Sequence, residues 1–258
     1  MEDLRRIKTL AEKAAREAGG YALEHIGKLK EISRKTGIND LVTDVDKMSE
    51  KIIIDRIHNE FPQHSILAEE SGEHASDGIF RWIIDPLDGT TNYAHGFPVF
   101  CVSIGVAEGG SVKIGVVYDP SRDELFTAEE GKGAFLGGKR IKVSETGTVA
   151  NSLIATGFAY DVAGKIDNIE SFKTMLKNAQ AVRRAGSAAI DLCYVACGRF
   201  DGFWELGLNP WDTAAGQLIV KEAGGVVTKL NGEPFEIYQK KILATNGRIH
   251  NEMRKLLE

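Results

Sequence analysis

The chain has 258 residues, with 32 lysines and arginines against 37 aspartates and glutamates, for a formal net charge of −5. This length accommodates one large domain or two lobes that share a core. The acidic balance leaves no basic footprint for direct nucleic-acid binding, and no apolar run approaches the roughly 20 residues that span a bilayer.

The first residues, Met1-Glu2-Asp3-Leu4-Arg5-Arg6, are charged at once, which reads as neither a signal peptide nor an anchor. Helical periodicity covers residues 2 to 28 and 43 to 60, and Asp44 and Asp46 fall in the first turn of the second stretch. Strands are expected near 65 to 68, 80 to 85, 99 to 107, 111 to 118 and 124 to 128, with Glu108-Gly109-Gly110-Ser111 as a hairpin turn. After about residue 150 the pattern changes to alternating strand and helix, ending in a helix from Ile249 to Leu257. A lobe boundary is therefore expected there, with residues 1–150 on one side and 151–258 on the other. Arg183-Arg184-Ala185-Gly186-Ser187-Ala188-Ala189 reads as a strand end leading into a helix that begins near Gly186, whose free amides suit an anion or a hydroxyl. In Asn209-Pro210-Trp211-Asp212, Pro210 reads as the first helical residue and Asp212 lies in the first turn.

The densest chemistry lies in Trp82-Ile83-Ile84-Asp85-Pro86-Leu87-Asp88-Gly89-Thr90-Thr91-Asn92. Pro86 biases Asp85 toward extended geometry, so the strand is expected to end at Asp85 and the chain to turn. In such a turn Asp85, Asp88 and the Leu87 carbonyl converge on one point. Gly89 lets the backbone approach a ligand, and the amides of Gly89 and Thr90 are donors for an anion. Oxygen ligands of this kind suit hard divalent cations such as Mg²⁺. Asp, Pro and Gly are also ordinary turn residues. Against that plainer reading stand two further acids, Glu69 at the end of a neighbouring short strand and Asp212 downstream. Asp212 alone also fits a partner of the helix dipole.

Other side chains carry weaker signals. Cys193 and Cys197 are four apart on one helix, but no companion Cys or His cluster accompanies them. With Cys101 they read as buried structural thiols in a reducing compartment, the cytoplasm. His95 has no evident partner as base or ligand and reads as a loop-packing residue. An acidic chain repels phosphate unless bound metal reverses the local field, so metal is expected to serve attraction as well as chemistry.

Leu67-Ala68-Glu69-Glu70-Ser71, the segment Trp82 to Asn92, and Pro210-Trp211-Asp212-Thr213-Ala214-Ala215-Gly216 resemble the three signature motifs of the inositol monophosphatase family. Leu41-Val42-Thr43-Asp44-Val45-Asp46 and Arg184 to Ala189 extend the likeness over nearly the whole chain. The resemblance implies an α/β (α+β) fold, a layered α-β-α-β-α sandwich of the inositol monophosphatase and fructose-1,6-bisphosphatase type. It also implies a homodimer and a small phosphorylated polyol or sugar as substrate. Two to three Mg²⁺ ions are implied: Glu69, Asp85 and the Leu87 carbonyl for the first, and Asp85, Asp88 and Asp212 for the second. A third, weaker ion uses Glu69 and water. Thr90 paired with Asp46 activates the attacking water, and Asp46 is the better match than Asp44. Gly186, Ser187 and Ala188 line the substrate ring, with Asp88, Gly89, Thr90 and Asp212 on the phosphate side. Glu205 binds the hydroxyls and favours inositol, although a surface acid at a strand end is its plainer reading. Arg183 meets a phosphate or a neighbouring subunit, and Lys35 matches a site-facing lysine.

The reaction so implied is Mg²⁺-dependent hydrolysis of myo-inositol-1-phosphate by direct water attack. Fructose-1,6-bisphosphatase or dual activity is the alternative, turning on the loop between Ser71 and Phe80 and on Arg183 and Arg184. Phosphatases for histidinol phosphate or adenosine bisphosphate share the metal motifs, and Glu205 argues mildly against both. A different class of role is that of a transcription accessory protein of the same fold.

Overall fold

The computed structural model describes residues 4–28, 32–34, 41–158 and 168–258. In chain order they form α1 (Leu4–His25), β1 (Ile32–Arg34), β2 (Leu41–Thr43), α2 (Asp44–Glu60), β3 (Ser65–Ala68), β4 (Gly72–His74), β5 (Phe80–Asp88) and α3 (Thr90–Ala94). There follow β6 (Cys101–Glu108), β7 (Ser111–Asp119), β8 (Glu124–Glu129), β9 (Gly133–Leu136), β10 (Lys139–Arg140), β11 (Leu153–Thr156) and α4 (Ile169–Asn178). The chain continues through β12 (Ala181–Arg183), α5 (Ala188–Ala196), β13 (Gly202–Leu206), α6 (Pro210–Glu222), β14 (Val226–Thr228), β15 (Lys241–Thr245) and α7 (His250–Leu257).

These elements stack in five layers: α1 with α2, an eight-stranded sheet, α5 with α6, a five-stranded sheet, and α4 with α7. The eight strands run in the order β10-β9-β8-β7-β6-β5-β3-β4 and pair antiparallel except for β3 beside β5. The five run β12-β11-β13-β15-β14, with β11 parallel to both of its neighbours. Gly109 and Gly110 make the expected hairpin turn with φ of 57° and 85°, the left-handed region that a tight hairpin requires.

Helices cover both faces of the large sheet, which explains why β5 reads as a continuous apolar run. Trp82 and Ile84 pack into the cluster that holds α1 and α2, while Ile83 packs into the one that holds α5 and α6. On α1, Ile7, Leu10, Ala11, Ala14, Ala15 and Ala18 recur at helical spacing and are buried. On the opposite face, α6 lies unusually close to the strands. A Cβ at Gly105 would stand 2.7 Å from the Ala214 methyl, and one at Gly115 would stand 2.6 Å from the Ala215 carbonyl oxygen. A methyl at either glycine overpacks this contact, at a cost of about 1–3 kcal/mol.

β5 does not end at Asp85 as expected. It continues through Pro86 to Asp88, and three steps along β5, from Asp85 to Asp88, face two along β6, from Ser103 to Cys101. This is a β-bulge, one of the few places where a strand inside a sheet tolerates a residue without an N–H. The Leu87 amide, freed from the ladder, donates to Asp85 Oδ1 at 2.9 Å.

Candidate active site

Strand parity explains how the carboxylates come together. In a regular strand, residues three apart point to opposite faces, and the extra residue in the bulge brings Asp88 to the side of Asp85. β3 runs parallel to β5 with Ala68 beside Ile84, so the next residues, Glu69 and Asp85, are neighbours. The Glu69 amide donates to the Ile84 carbonyl at 3.1 Å, which seats the Glu69 carboxyl close enough to Asp85 to raise its pKa. Asp212 arrives from the start of α6. Its Oδ2 accepts from the Asn209 amide at 2.7 Å, and Ser103 Oγ, opposite Asp85, donates to the Trp211 carbonyl at 3.1 Å. Asp212 is therefore a helix cap and a cleft residue at once.

Glu69, Asp85, Leu87, Asp88 and Asp212 line one cavity of about 90 Å³, and Thr90, Ser187 and Glu205 complete its wall. Burial pushes Asp85, Asp212 and Glu205 well above the ordinary carboxylate range, and nearby acids add to it: Glu69 and Asp88 for Asp85, Asp88 and Glu69 for Asp212, Asp191 for Glu205. Asp88 is also raised by burial, against the pull of Ser187 and the amides of Ala188 and Ala189. Among the described residues the lining holds one cation, Arg184, whose field reaches Asp191 and Glu205. Glu69, Asp85, Asp88, Asp212 and the Leu87 carbonyl are an all-oxygen donor set of the kind that hard divalent cations take, so the residues fit such an ion. They are not a ready-made cluster: among the described residues no three His, Cys, Asp or Glu side chains are drawn together as a ligand set.

Behind this wall, Thr90 Oγ1 lies 3.0 Å from both Asp46 Oδ1 and the Leu87 carbonyl oxygen and has one proton to give. Asp46 itself does not line the cleft. It caps α2, its Oδ2 accepting from the Thr43 amide at 2.9 Å and from the Thr43 hydroxyl. Burial raises its pKa to about 6, against the opposing pull of its hydrogen bonds from Thr43 and Thr90.

Several expectations need correction. The Ala189 amide at the start of α5 is not left for a ligand, because Asp88 Oδ2 takes it at 2.8 Å together with the Ser187 hydroxyl at 2.6 Å. The helix begins at Ala188, with Ser187 as its cap and Gly186 ahead of it at φ 89°. Gly89 lines the cavity and has a packing reason besides: its φ is 96°, and a Cβ there would stand 2.8 Å from the Val99 carbonyl oxygen. Arg183 is exposed, donates to the Val182 carbonyl at 3.2 Å and does not reach the cleft, whereas Arg184 does. Glu205 is buried on β13 and is no surface acid. His95 is exposed at the end of α3 and takes no part in the lining. Cys101 and Cys193 are buried and Cys197 is half-buried, all three as free thiols. Lys35 lies outside the described residues.

Other residues of the site carried little or no signal in the sequence. Gly157 makes room for Glu205, since a Cβ there would stand 2.2 Å from both carboxylate oxygens. Asn92 Nδ2 donates to the Val99 carbonyl at 2.8 Å and the Ala185 carbonyl at 2.9 Å, tying α3 to the approach of α5. Asp191 is buried within the field of Asp88 and has one oxygen without a hydrogen-bond partner. Only the signal of an acid in a first helical turn marked it, and that signal is common.

A five-layer sandwich with an acid-lined cleft at the ends of β3 and β5 defines the class to which this chain is similar in both sequence and structure. The family model described as "Inositol monophosphatase family" matches residues 3–258, and the chain belongs to that family. It is 48% identical over 257 residues to an inositol-1-monophosphatase from Synechocystis sp., covering 99% of this chain and 90% of that one. It is 45% identical over 248 residues to the Nus factor SuhB of Escherichia coli K12, covering 95% and 92%. With the fructose-1,6-bisphosphatase/inositol-1-monophosphatase of Thermotoga maritima the identity is 41% over 245 residues, covering 95% and 93%. Among solved structures, an inositol monophosphatase from Anabaena (Nostoc) sp. superposes with a TM-score of 0.90 at 45% identity, covering 99% of this chain and 96% of that one. Among the described residues no helix is long and apolar enough to cross a membrane.

Proposed function

We propose that this chain is a Mg²⁺-dependent phosphate monoester hydrolase that converts myo-inositol-1-phosphate and water to myo-inositol and phosphate. The observation that carries this reading is the all-oxygen set of Glu69, Asp85, Leu87, Asp88 and Asp212 along one cavity, backed by the Thr90–Asp46 pair. Glu69, Asp85 and the Leu87 carbonyl would hold one ion and Asp85, Asp88 and Asp212 a second, with a weaker third at Glu69. Bound there, the ions offset the charge of the phosphate and acidify water.

The remaining work falls to the chain itself. With its proton directed to Asp46, Thr90 turns its oxygen lone pairs to the cleft, where they orient the attacking water and take its proton as Thr90 passes its own to Asp46. Asp46, ionised above about pH 6, is the proton acceptor at the end of that link. Gly89 and Thr90 flank the phosphate, Gly186, Ser187 and Ala188 flank the ring, and Glu205 accepts from ring hydroxyls. Attack is direct, so trapping a phosphorylated side chain during turnover would refute this mechanism.

The test is Mg²⁺-dependent phosphate release from inositol-1-phosphate, fructose-1,6-bisphosphate and adenosine bisphosphate, for wild type and Asp88→Asn. Release led by inositol phosphate and lost in the variant supports the reading; no release from any substrate overturns it. Comparable turnover of fructose bisphosphate makes this a dual enzyme, a second reading favoured by Arg184 at the cleft, where a second phosphate would meet it. The alternative role, that of a transcription accessory protein, predicts co-purification with transcription machinery that survives Asp88→Asn. We further place the protein in the cytoplasm as a homodimer; a monomer in sedimentation would remove the latter.

A further inference from the structure

Glu50 stands one turn after Asp46 on α2, so the two carboxylates leave the same face of the helix. Asp46 holds the Thr90 side of the cleft. Glu50 reaches the other side. It is only 4% exposed, its Oε2 accepts from the Glu70 amide at 2.8 Å, and its Oε1 accepts from the Ser71 amide at 2.9 Å. Both oxygens are thus spent on consecutive amides of the turn that begins at Glu69. That turn joins β3 to β4, the edge strand of the large sheet, and among the described residues no further strand pairs on its outer side. A two-point, charge-assisted grip fixes both the distance and the orientation of such a turn.

We propose that Glu50 is a positioning residue for the divalent-cation site. It registers the Glu69 arm against α2 while Asp46 registers the Thr90 arm, so one helix face sets the spacing between the two halves of the cleft. This deepens the reading above and rests on it. Groups that orient a metal's ligands without touching the metal typically tune affinity by about 10–100-fold.

The fold supplies its own control. Glu222, at the end of α6, grips the amides of Gly131 and Gly133 at 2.8 and 2.7 Å in the same two-point manner, but away from the cleft. Glu50→Gln keeps the shape of the side chain and replaces one acceptor with an NH₂ that faces an amide donor. Mn²⁺ binding to the purified chain, followed by the electron paramagnetic resonance of the free ion, reads cation affinity without turnover. For Glu50→Gln we expect about 10–100-fold weaker Mn²⁺ binding and a matching rise in the Mg²⁺ needed for half-maximal phosphate release. At saturating Mg²⁺ its kcat should stay within about threefold of wild type. Glu50→Asp, which keeps both oxygens but draws them back by one methylene, falls between, and it serves as the test should Glu50→Gln fail to fold. Glu222→Gln should lower the Tm and leave Mn²⁺ affinity unchanged. Wild-type affinity in both Glu50 variants, or an equal loss in Glu222→Gln, overturns the proposal. A wild-type chain that binds no Mn²⁺ overturns the metal reading instead.

Discussion

The two sheets serve the same cleft in different ways. From the eight-stranded sheet come groups placed by strand register: Glu69 follows β3 beside Asp85, and the bulge in β5 turns Asp88 to the same side. From the half of the chain that builds the five-stranded sheet, Glu205 is strand-borne, while Gly186, Ser187, Ala188 and Asp212 sit at helix starts. Groups held by a ladder keep their spacing with little freedom, which suits the placement of charge. The start of α6 is locked against the strands, whereas the groups ahead of α5 sit at a loop-to-helix junction, which suits the accommodation of different alcohols. Apart from Asp212, which the second side lends to the cation site, chemistry is therefore expected from the first side and selectivity from the second.

The largest expected effect breaks the chemical side. Asp85→Asn or Asp88→Asn should lower kcat/KM by on the order of a thousandfold or more, about 4 kcal/mol, and chelation of divalent ions from the wild type should match that loss and be reversed by added Mg²⁺. Next comes pH. Because burial raises Asp46 to about 6 and only its ionised form accepts a proton, kcat/KM should climb as pH rises through about 6 and fall below it, a limb that a pH profile will show directly. The recognition side should respond differently. Glu205→Gln is expected to raise KM for inositol-1-phosphate about tenfold with a smaller change in kcat, as fits lost ground-state binding. A loss confined to kcat would erase the proposed division between the two sheets. The smallest effect concerns the frame behind the chemistry. Thr43→Ala removes the cap of α2 and should cost about 1 kcal/mol in urea denaturation.

Much of this division is visible in the bare chain, because it is written in local patterns. Pro210 followed by Asp212 marks a helix start, and alternating apolar runs mark the strands of the hairpins. The resemblance supplied the roles of Glu69, Asp85, Asp88 and Asp212, all of which the structure brings to one cavity. What stayed hidden depends on contacts distant in sequence. The bulge at Pro86 is a relation between two strands, and a proline read alone predicts only a strand end. That Asp88 would occupy the Ala189 amide at the start of α5 depends on a contact between residues 101 positions apart. Arg183 and Arg184 are alike in charge, and only the end of β12 decides which one turns to the cleft. Gly157 reveals its purpose only once Glu205 lies against it.

The close seat of α6 on Gly105 and Gly115 has a consequence in time as well as in space. Asp212 sits in the cleft on a helix docked through Ser103 and Trp211, residues 108 positions apart, and closing so long a loop carries an entropic cost that must be met before the contact rewards it. A cation that needs Asp212 beside Asp85 and Asp88 is captured only after that docking, and by binding the docked state alone it draws the equilibrium toward it. During refolding, Mn²⁺ uptake should therefore lag behind the return of helical signal, and the ion becomes a clock for the last step of assembly.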